Sequence, residues 1–168
     1  MNVRDAVEAE LDHLAHVWHQ GWHEAHARVV PAALTRLRTL ESFRARLQAS
    51  LPSTRVVGPR GAPVGFYVIK EDELYQLFVA PEARGSGVAN ALISDAENRL
   101  RGDGVRTAWL ACAIGNDRAA RFYEKCGWRR VGTILNQVET TEGLFPLEVW
   151  RYEKNLTESA RASRGTPG

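Results

Sequence analysis

The chain is poor in cysteine, with only Cys112 and Cys126 among its 168 residues. Two cysteines allow one disulfide bond at most, too few for the disulfide framework of a small secreted domain. A reducing, cytoplasmic compartment is therefore expected. Neither thiol has the histidine and asparagine partners of a cysteine nucleophile. Both are therefore predicted to be packing residues.

Long apolar runs are also missing. No stretch approaches the ~20 residues that a membrane-spanning helix needs. Residues 1–10 alternate charged with small side chains and lack the apolar centre of a signal peptide. The sequence therefore predicts a protein without membrane partners.

Neither sign of charge is in large excess: 22 basic and 20 acidic residues give a formal net charge of +2. Because the two signs are interleaved, no nucleic acid partner is expected. The composition, 44% apolar and 25% charged, is typical of one globular domain. That domain is predicted over residues 1–154. Residues 155–168, rich in Ser, Arg, Thr, Gly and Pro, are predicted to form a disordered tail.

Apolar residues spaced three and four apart predict two helices near the start of the chain. The first covers Ala6 to Ala25, and Pro31 is expected to prevent its continuation. The second covers Thr39 to Ser50, with the Thr39 side chain as its N-terminal cap. Both patterns leave one apolar face that must be buried against another element.

From residue 55 onward, runs of β-branched and aromatic residues alternate with helical patterns. An α/β fold follows, with a central mixed sheet and helices on both faces, if the strand–helix–strand unit crosses over in the right-handed sense. The predicted strands are Arg55–Val57, Gly65–Lys70, Glu73–Ala80, Thr107–Ile114, Trp128–Leu135 and Phe145–Lys154, and the later helices are Val88–Leu100 and Asp117–Lys125.

A glycine-rich turn at residues 79–89 joins a predicted strand to a predicted helix. Gly85 and Gly87 allow backbone N–H groups to point inward, and the helix N-terminus adds partial positive charge. Together with Arg84 they could bind a phosphate or pyrophosphate, although such turns also simply cap helices. The turn is not a Walker loop, and Asn90 stands where a dinucleotide fingerprint has its third glycine.

A second motif, residues 116–128, follows the next strand, and Asn116 is placed to cap a short helix there. The two motifs together closely resemble the GNAT superfamily of acyl-CoA-dependent N-acetyltransferases. The matching positions are Arg84-x-x-Gly87-x-Ala89 and Asn116-x-x-Ala119-x-x-Phe122-Tyr123-x-Lys125-x-Gly127-Trp128. The predicted order of elements agrees with that superfamily from about Asn2 to Tyr152.

The resemblance implies acetyl-CoA as co-substrate and a GNAT-like sheet whose fourth and fifth strands, here Glu73–Ala80 and Thr107–Ile114, splay apart. The pantetheine arm would lie in the gap, hydrogen-bonded by Asn116 and by the backbone of the fourth strand. The pyrophosphate would lie on the N–H groups of the glycine-rich turn. The implied cofactor-binding residues are Leu77, Phe78, Val79, Arg84, Gly85, Ser86, Gly87, Val88, Ala89, Asn116, Ala119, Phe122 and Lys125.

The implied reaction is transfer of an acetyl group to a primary amine of a small molecule or peptide by direct attack in a ternary complex. Tyr123 would give a proton to the departing thiolate; otherwise it only packs against CoA or positions it. Glu73 stands where related enzymes often carry a glutamate that takes the amine proton through water; otherwise it is a solvated carboxylate at a strand end. A backbone N–H near Leu77 or Phe78 would stabilise the oxyanion.

All five histidines fall on one flank of the first predicted helix, at His13, His16, His19, His23 and His26. A zinc site is one interpretation, but no cysteine or acidic residue completes a motif, and no metal is predicted. A solvated flank is the second. The third is acceptor binding, because the first two helices wall the amine site in the resembled superfamily. Trp22, His23 and His26 are the candidates for that role.

Two rival functions keep the same fold. The domain could bind or sense CoA without catalysis, although the presence of Tyr123 favours an enzyme. Alternatively, it could transfer an acyl group other than acetyl. A homodimer is possible, since dimers are common in the resembled superfamily.

Overall fold

The computed structural model describes residues 1–157. Their strands are β1 (Val3–Asp5), β2 (Thr54–Val57), β3 (Gly65–Lys70), β4 (Glu73–Val79), β5 (Thr107–Ala113), β6 (Arg129–Thr140) and β7 (Gly143–Asn155). Their α-helices are α1 (Leu11–His26), α2 (Ala32–Leu37), α3 (Leu40–Ala49), α4 (Val88–Gly102) and α5 (Asp117–Lys125).

The strands form a single seven-stranded sheet in the order β1-β2-β3-β4-β5-β7-β6. Strands β4 and β5 run parallel, with α4 in the connection between them, and every other neighbouring pair is antiparallel. The predicted α/β fold with a mixed sheet is confirmed.

The sheet separates two apolar layers, as the alternating side chains of β3 show. Phe66 and Val68 pack with the buried residues of α1 and α3. Tyr67 and Ile69 point the other way and pack with α4. Because successive strand residues face opposite sides, this run of buried residues needs a helix layer on each face. The prediction of helices on both faces is confirmed.

Aromatic packing anchors α1 to the sheet. Trp18 is 1% exposed, and its ring lies 4.8 Å from that of Phe43 on α3 and 5.7 Å from that of Phe66 on β3. Such ring pairs add to the stabilisation that apolar burial already gives. The α-helix begins at Leu11, later than the predicted Ala6, because a short 3₁₀ turn precedes it.

Both predicted helix caps are present. Thr39 Oγ1 accepts a hydrogen bond from the Ser42 amide at 3.1 Å, at the start of α3. Asn116 Oδ1 accepts one from the Ala119 amide at 3.4 Å, at the start of α5. Each side chain satisfies an amide that the first helical turn leaves without a backbone partner.

Two elements differ from the sequence prediction. Strand β1 was not predicted; it is three residues long, too short for a recognisable alternation, and it pairs with β2. Helix α2 also differs from the prediction, because Pro31 predicts the end of a helix and not the start of one. Pro31 in fact precedes α2 directly, at a position where its fixed φ and missing N–H cost little.

The predicted tail begins too early. Asn155 belongs to β7, and the Leu156 side chain is completely buried in the α4 layer. The Leu156 amide donates to the Arg106 carbonyl at 2.8 Å, and Arg101 Nε donates to the Leu156 carbonyl at 3.0 Å. The folded domain therefore includes residues 155–157. The rest of the predicted tail, residues 158–168, lies outside the described residues.

Shortening Leu156 to alanine is expected to lower the free energy of unfolding by about 2–4 kcal/mol, the usual cost of a cavity at a buried leucine. Chemical denaturation measures this change. Leu144→Ala is the matched control, since Leu144 is 65% exposed on β7. Equal, small effects of the two substitutions would show that Leu156 contributes nothing to the core.

The cysteines do not pair within residues 1–157: Cys112 is a buried free thiol and Cys126 is half-buried. Burial raises the pKa of the Cys112 thiol to about 12, which keeps it protonated and unreactive at neutral pH. Among the same residues, no helix has both the length and the apolar character needed to cross a bilayer.

Candidate active site

A cleft opens between β4 and β5. The two strands pair only through Glu73 and Trp109, near the start of each, whereas β5 and β7 pair along seven consecutive residues. Beyond that contact the strands diverge around a cavity of about 280 Å³. Its walls include Leu77, Phe78 and Val79 from β4, and Ala111, Cys112 and Ala113 from β5. The fourth and fifth strands are thus splayed as predicted.

A β-bulge lies in β4 beside this cleft. Ile69 of β3 pairs with Leu74 and Val68 pairs with Gln76, so Tyr75 is an extra residue without an opposite partner. Bulges bend a strand and increase its local twist. The bulge therefore contributes to turning β4 away from β5.

Backbone donors of β4 face the cleft. The Ala80 amide donates to the Val64 carbonyl at 2.7 Å, on the β3 side of the chain. Because amide directions alternate along a strand, the amides of Leu77 and Val79 point to the other side, where β5 has diverged. They are available to an extended ligand in the cleft.

The glycine-rich turn closes one end of the cleft. Gly85 and Gly87 have φ angles of +77° and +89°, in the left-handed region that glycine adopts without strain. Helix α4 begins at Val88 without a side-chain cap, so the amides of its first turn have no intrahelical acceptor. A cavity of about 270 Å³ adjoins them, and the arrangement suits an anionic group.

Gly87→Ala is expected to weaken CoA binding about tenfold, because a left-handed conformation costs an alanine about 1–2 kcal/mol and the loop would shift to relieve it. Calorimetric titration with CoA measures the change. Gly104→Ala is the matched control: Gly104 has a φ of +86°, stands in open space and lies beyond the far end of α4. Equal losses of affinity in both variants would contradict a local role for Gly87.

Arg84 binds an acidic residue that no sequence motif marks. Its guanidinium forms two hydrogen bonds with the Glu24 carboxylate of α1, at 2.7 and 3.2 Å. Arg118 of α5 lies 3.6 Å from the same carboxylate. These cations, the Arg84 hydrogen bond above all, lower the pKa of Glu24. Glu24 therefore links α1, the glycine-rich turn and α5 across the mouth of the cleft.

Helix α5 forms the wall opposite β4, and Asn116, Ala119, Phe122 and Tyr123 line the cleft. Their contacts with a cofactor stay a prediction. Lys125 is an exception: it is exposed in the last turn of α5 and lines neither this cleft nor the cavity at the glycine-rich turn. Its contact with a ligand stays a prediction that this structure does not support.

Two side chains of the glycine-rich turn also point away from the cleft. Ser86 Oγ donates to the Ala83 carbonyl within the turn. The Val88 side chain is 4% exposed and packs in the α4 layer. Only the backbone N–H groups of these two residues are therefore placed to meet a phosphate.

The Tyr123 hydroxyl has no hydrogen-bond partner among residues 1–157, and the side chain lines the cleft. The ring is fixed by Phe122 and Trp128, whose centroids lie 5.5 and 6.4 Å away. Burial raises the pKa of the phenol, so it stays protonated at neutral pH and can act as a hydrogen-bond or proton donor.

A second cavity of about 230 Å³ lies against the opposite side of the gap between β4 and β5. It is bounded by α1, the α2–α3 region, β3 and the β6–β7 hairpin. The cleft and the second cavity share five wall residues: His26, Tyr75, Gln76, Ala111 and Ala113. Two ligands entering from opposite sides can therefore meet at the gap.

Glu73 lines the second cavity, at the point where β4 still touches β5. Burial raises the pKa of its carboxyl to about 7, and the nearby Lys70 cation opposes this shift only in part. A carboxyl with such a pKa can both accept and release a proton near neutral pH.

Two of the three predicted acceptor residues reach the second cavity. Trp22 and His26 line it, but His23 does not. His23 Nε2 lies 2.7 Å from the Arg38 carbonyl and connects α1 to the loop before α3. His26 Nδ1 lies 3.0 Å from the Trp22 carbonyl, and burial lowers the pKa of its imidazole to about 4, so the ring is neutral.

The remaining histidines of α1 lie away from both cavities. His13 Nε2 lies 2.8 Å from the Pro63 carbonyl oxygen, and His16 Nδ1 lies 2.8 Å from that of Asp12. The His19 ring lies 4.4 Å from the His23 ring, tilted by 43°. Within the part of the chain that the structure describes, no group of three or more histidine, cysteine or acidic residues is placed to hold a metal ion.

Most of the second cavity was not predicted. Strand alternation places Gln76 on the face opposite Leu77, so this residue could have been selected from the sequence. Arg38 and Arg46 come from the α2–α3 region, whereas Glu139 comes from β6, 101 residues after Arg38. No local pattern marks the three residues. Their association depends on the tertiary fold.

Comparison with known proteins assigns this geometry to a family. The sequence model of the acetyltransferase (GNAT) family matches residues 16–128. The chain is 36% identical over 83 residues to a mycothiol acetyltransferase of Stackebrandtia nassauensis, an alignment that spans 49% of this chain and 25% of that protein. It spans about half the length of other curated acetyltransferases that it matches.

Solved structures share the fold over nearly the whole chain. A GCN5-related N-acetyltransferase from Rhodopseudomonas palustris has a TM-score of 0.72 at 20% identity and covers 92% of this chain and 94% of its own. The PaiA N-acetyltransferase of Thermoplasma acidophilum, in complex with coenzyme A, has a TM-score of 0.63 at 18% identity, with coverages of 92% and 98%. With its splayed strands, its glycine-rich turn and the family match over residues 16–128, the chain belongs to the acetyltransferase (GNAT) family.

Proposed function

We propose that this protein transfers an acetyl group from acetyl-CoA to a primary amine of a small molecule or peptide, by direct attack in a ternary complex. The observation that carries the proposal is the meeting of two cavities at the gap between β4 and β5. One cavity ends at a turn whose uncapped backbone N–H groups suit an anion, and the other contains a carboxyl group with a pKa near neutrality.

The residues of the cleft suit coenzyme A along its length. The amide of Val79 can pair with a carbonyl group of an extended pantetheine arm, as it would with a neighbouring strand, which leaves the amide of Leu77 for the acetyl group. The turn from Gly85 to Ala89 offers backbone N–H groups to a pyrophosphate. The Thermoplasma relative, which shares this fold, contains coenzyme A.

In the proposed reaction, Glu73, the Leu77 amide and Tyr123 each have one role. The Glu73 carboxylate takes a proton from the acceptor ammonium, directly or through water, and the free amine attacks the acetyl carbonyl carbon. The amide of Leu77 stabilises the oxyanion that forms. The carbon–sulfur bond then breaks, and the Tyr123 hydroxyl gives a proton to the sulfur, which yields CoA. The nitrogen, still protonated after the attack, passes its extra proton through water to the Tyr123 phenolate, which yields the N-acetyl amide, and Glu73 releases its proton to solvent.

A thiol-release assay with acetyl-CoA tests this function. The amine panel contains amino acids, polyamines, aminoglycosides, aryl amines, and peptides with a free N-terminus or a lysine. Release that depends on one acceptor class is the expected result. Tight calorimetric binding of CoA, without thiol release in the presence of any amine, would instead identify a CoA-binding domain without catalysis. Faster thiol release from succinyl-CoA than from acetyl-CoA would identify a succinyl group as the one transferred.

A further inference from the structure

The second cavity carries an excess of positive charge. Its wall contains Arg38, Arg46 and Lys70, against Glu73 and Glu139. Lys70 is ion-paired with Glu139. Because the pKa of Glu73 is raised to about 7, its carboxyl is only partly ionised at neutral pH. Among residues 1–157, neither guanidinium forms an ion pair with a carboxylate.

Arg38 is the more deeply buried of the two arginines, at 3% exposure. Its Nη1 donates to the Glu139 carbonyl at 2.5 Å, and its Nε is buried without a partner within the described chain. Burial, and then the positive charge of Arg46, lower the pKa of Arg38 to about 10. Arg38 is therefore still a cation at neutral pH.

Arg46 is half-buried and, like Arg38, has guanidinium nitrogens without hydrogen-bond partners. Its Nη2 donates to the Tyr75 hydroxyl at 2.7 Å, while its Nε and Nη1 are buried without partners in residues 1–157. The guanidinium lies 4.4 Å from the centroid of the Trp18 ring. This cation–π contact offsets part of the cost of burial, but it supplies no negative charge.

Buried cations without an anion are rare, because removing a charge from water is costly unless a counter-charge replaces the water. The Glu139 carboxylate attracts both arginines, but it is already hydrogen-bonded to Lys70. A second anion, from outside the chain, would complete the charge balance of this cavity wall. Guanidinium groups bind carboxylates with paired, directional hydrogen bonds. A cavity of about 230 Å³ is smaller than the sites of drug-sized ligands, which favours a small molecule.

We propose that the acceptor is a small amine that also carries a carboxylate, and that Arg38 and Arg46 bind this carboxylate while the amino group faces Glu73. The inference rests on the proposed function and adds the substrate class. A second role of Arg38 is already visible, since its bond to the Glu139 carbonyl connects β6 to the loop before α3. That structural role alone would produce no preference for a charged substrate.

The decisive measurement compares matched amines with the wild-type protein. Each of L-leucine, L-phenylalanine, β-alanine and 4-aminobutyrate is assayed beside its carboxamide and its decarboxylated amine, with release of CoA as the readout. In at least one set we expect kcat/KM for the carboxylate to exceed that for the carboxamide by about tenfold or more, the order expected for a buried charge-assisted pair. Equal rates throughout, or a preference for phosphoethanolamine over every carboxylate, would overturn the inference while leaving acetyl transfer intact.

Substitutions then test whether Arg38 and Arg46 cause the preference for a carboxylate. Arg46→Gln and Arg38→Gln should reduce the carboxylate-to-carboxamide ratio to about twofold or less, and Arg38→Lys should restore part of it. Arg36→Gln and Arg44→Gln, on exposed positions of α2 and α3, should keep the wild-type ratio. A ratio unchanged by the Arg38 and Arg46 substitutions would contradict the assignment.

A binding measurement separates this inference from the proposed function. N-acetyl-L-leucine and N-acetyl-L-leucinamide are titrated into the CoA-saturated protein by calorimetry, and the same pair is made for the other three amines. If CoA is released with no amine, the proposed acetyl transfer is rejected. Tighter binding of an N-acetyl carboxylate than of its carboxamide would even then support the preference of the cavity for a carboxylate. Equal binding of both members of every pair would reject it.

Discussion

Tyr123→Phe is expected to lower kcat about a hundredfold, a typical loss when a positioned proton donor is removed. The phenol lines the cleft, its hydroxyl has no partner among residues 1–157, and burial raises its pKa so that it holds its proton. The dissociation constant for CoA should change little, because the phenylalanine ring keeps the contacts with Phe122 and Trp128. Steady-state kinetics beside CoA titration separates the two effects.

Tyr152→Phe is the control for this loss. The Tyr152 ring lies 6.3 Å from that of Tyr123 and is completely buried, but its hydroxyl donates to Glu124 at 2.6 Å and does not line the cleft. Removing this neighbouring hydroxyl should leave kcat near the wild-type value. A Tyr123→Phe protein with unchanged kcat would show that thiolate leaves unaided and that Tyr123 only packs against the cofactor.

Local signals account for the parts of the structure that the sequence predicted well. Helix α5 was predicted with its observed bounds, because Asn116 caps it and Gly127 follows it. The cleft was also predicted, since its glycine-rich turn and the start of α5 are continuous segments. Strand β1 and helix α2 have three and six residues, too few for a periodic pattern to emerge.

Long-range contacts account for most of what the sequence did not reveal. Glu24 meets Arg84 from 60 residues away, and Arg38 reaches the β6 backbone from 101 residues away. Surface glutamates and arginines are too common for such pairs to be selected without the fold. Leu156 shows the same limit: a single leucine in a polar segment gave no sign that the core extends to it.

The pH dependence of Glu73→Gln is the most direct test of the catalytic base. Because the pKa of the wild-type carboxyl is raised to about 7, the carboxylate that accepts a proton forms only as the pH rises through neutrality. Wild-type kcat/KM for the acceptor should therefore increase with pH around 7. Glu73→Gln should lose this rise, with a deficit of about a hundredfold at about pH 8 that narrows at about pH 5, where Glu73 is protonated in the wild type.

Two measurements keep this result specific to the base. Glu71→Gln changes an exposed carboxylate in the adjoining turn and should retain the wild-type pH profile. Stability gives the second. A carboxyl whose pKa is raised on folding holds its proton more tightly in the folded state, so the wild-type protein loses stability as the pH rises from about 4.5, the ordinary pKa, to about 7, and this loss is complete at higher pH. Glu73→Gln should therefore unfold at the same or a higher temperature than the wild type at about pH 8. If a well-folded Glu73→Gln protein keeps the wild-type rise in kcat/KM, another group is the base. Any loss of rate in that variant would then reflect a role of Glu73 in positioning the acceptor.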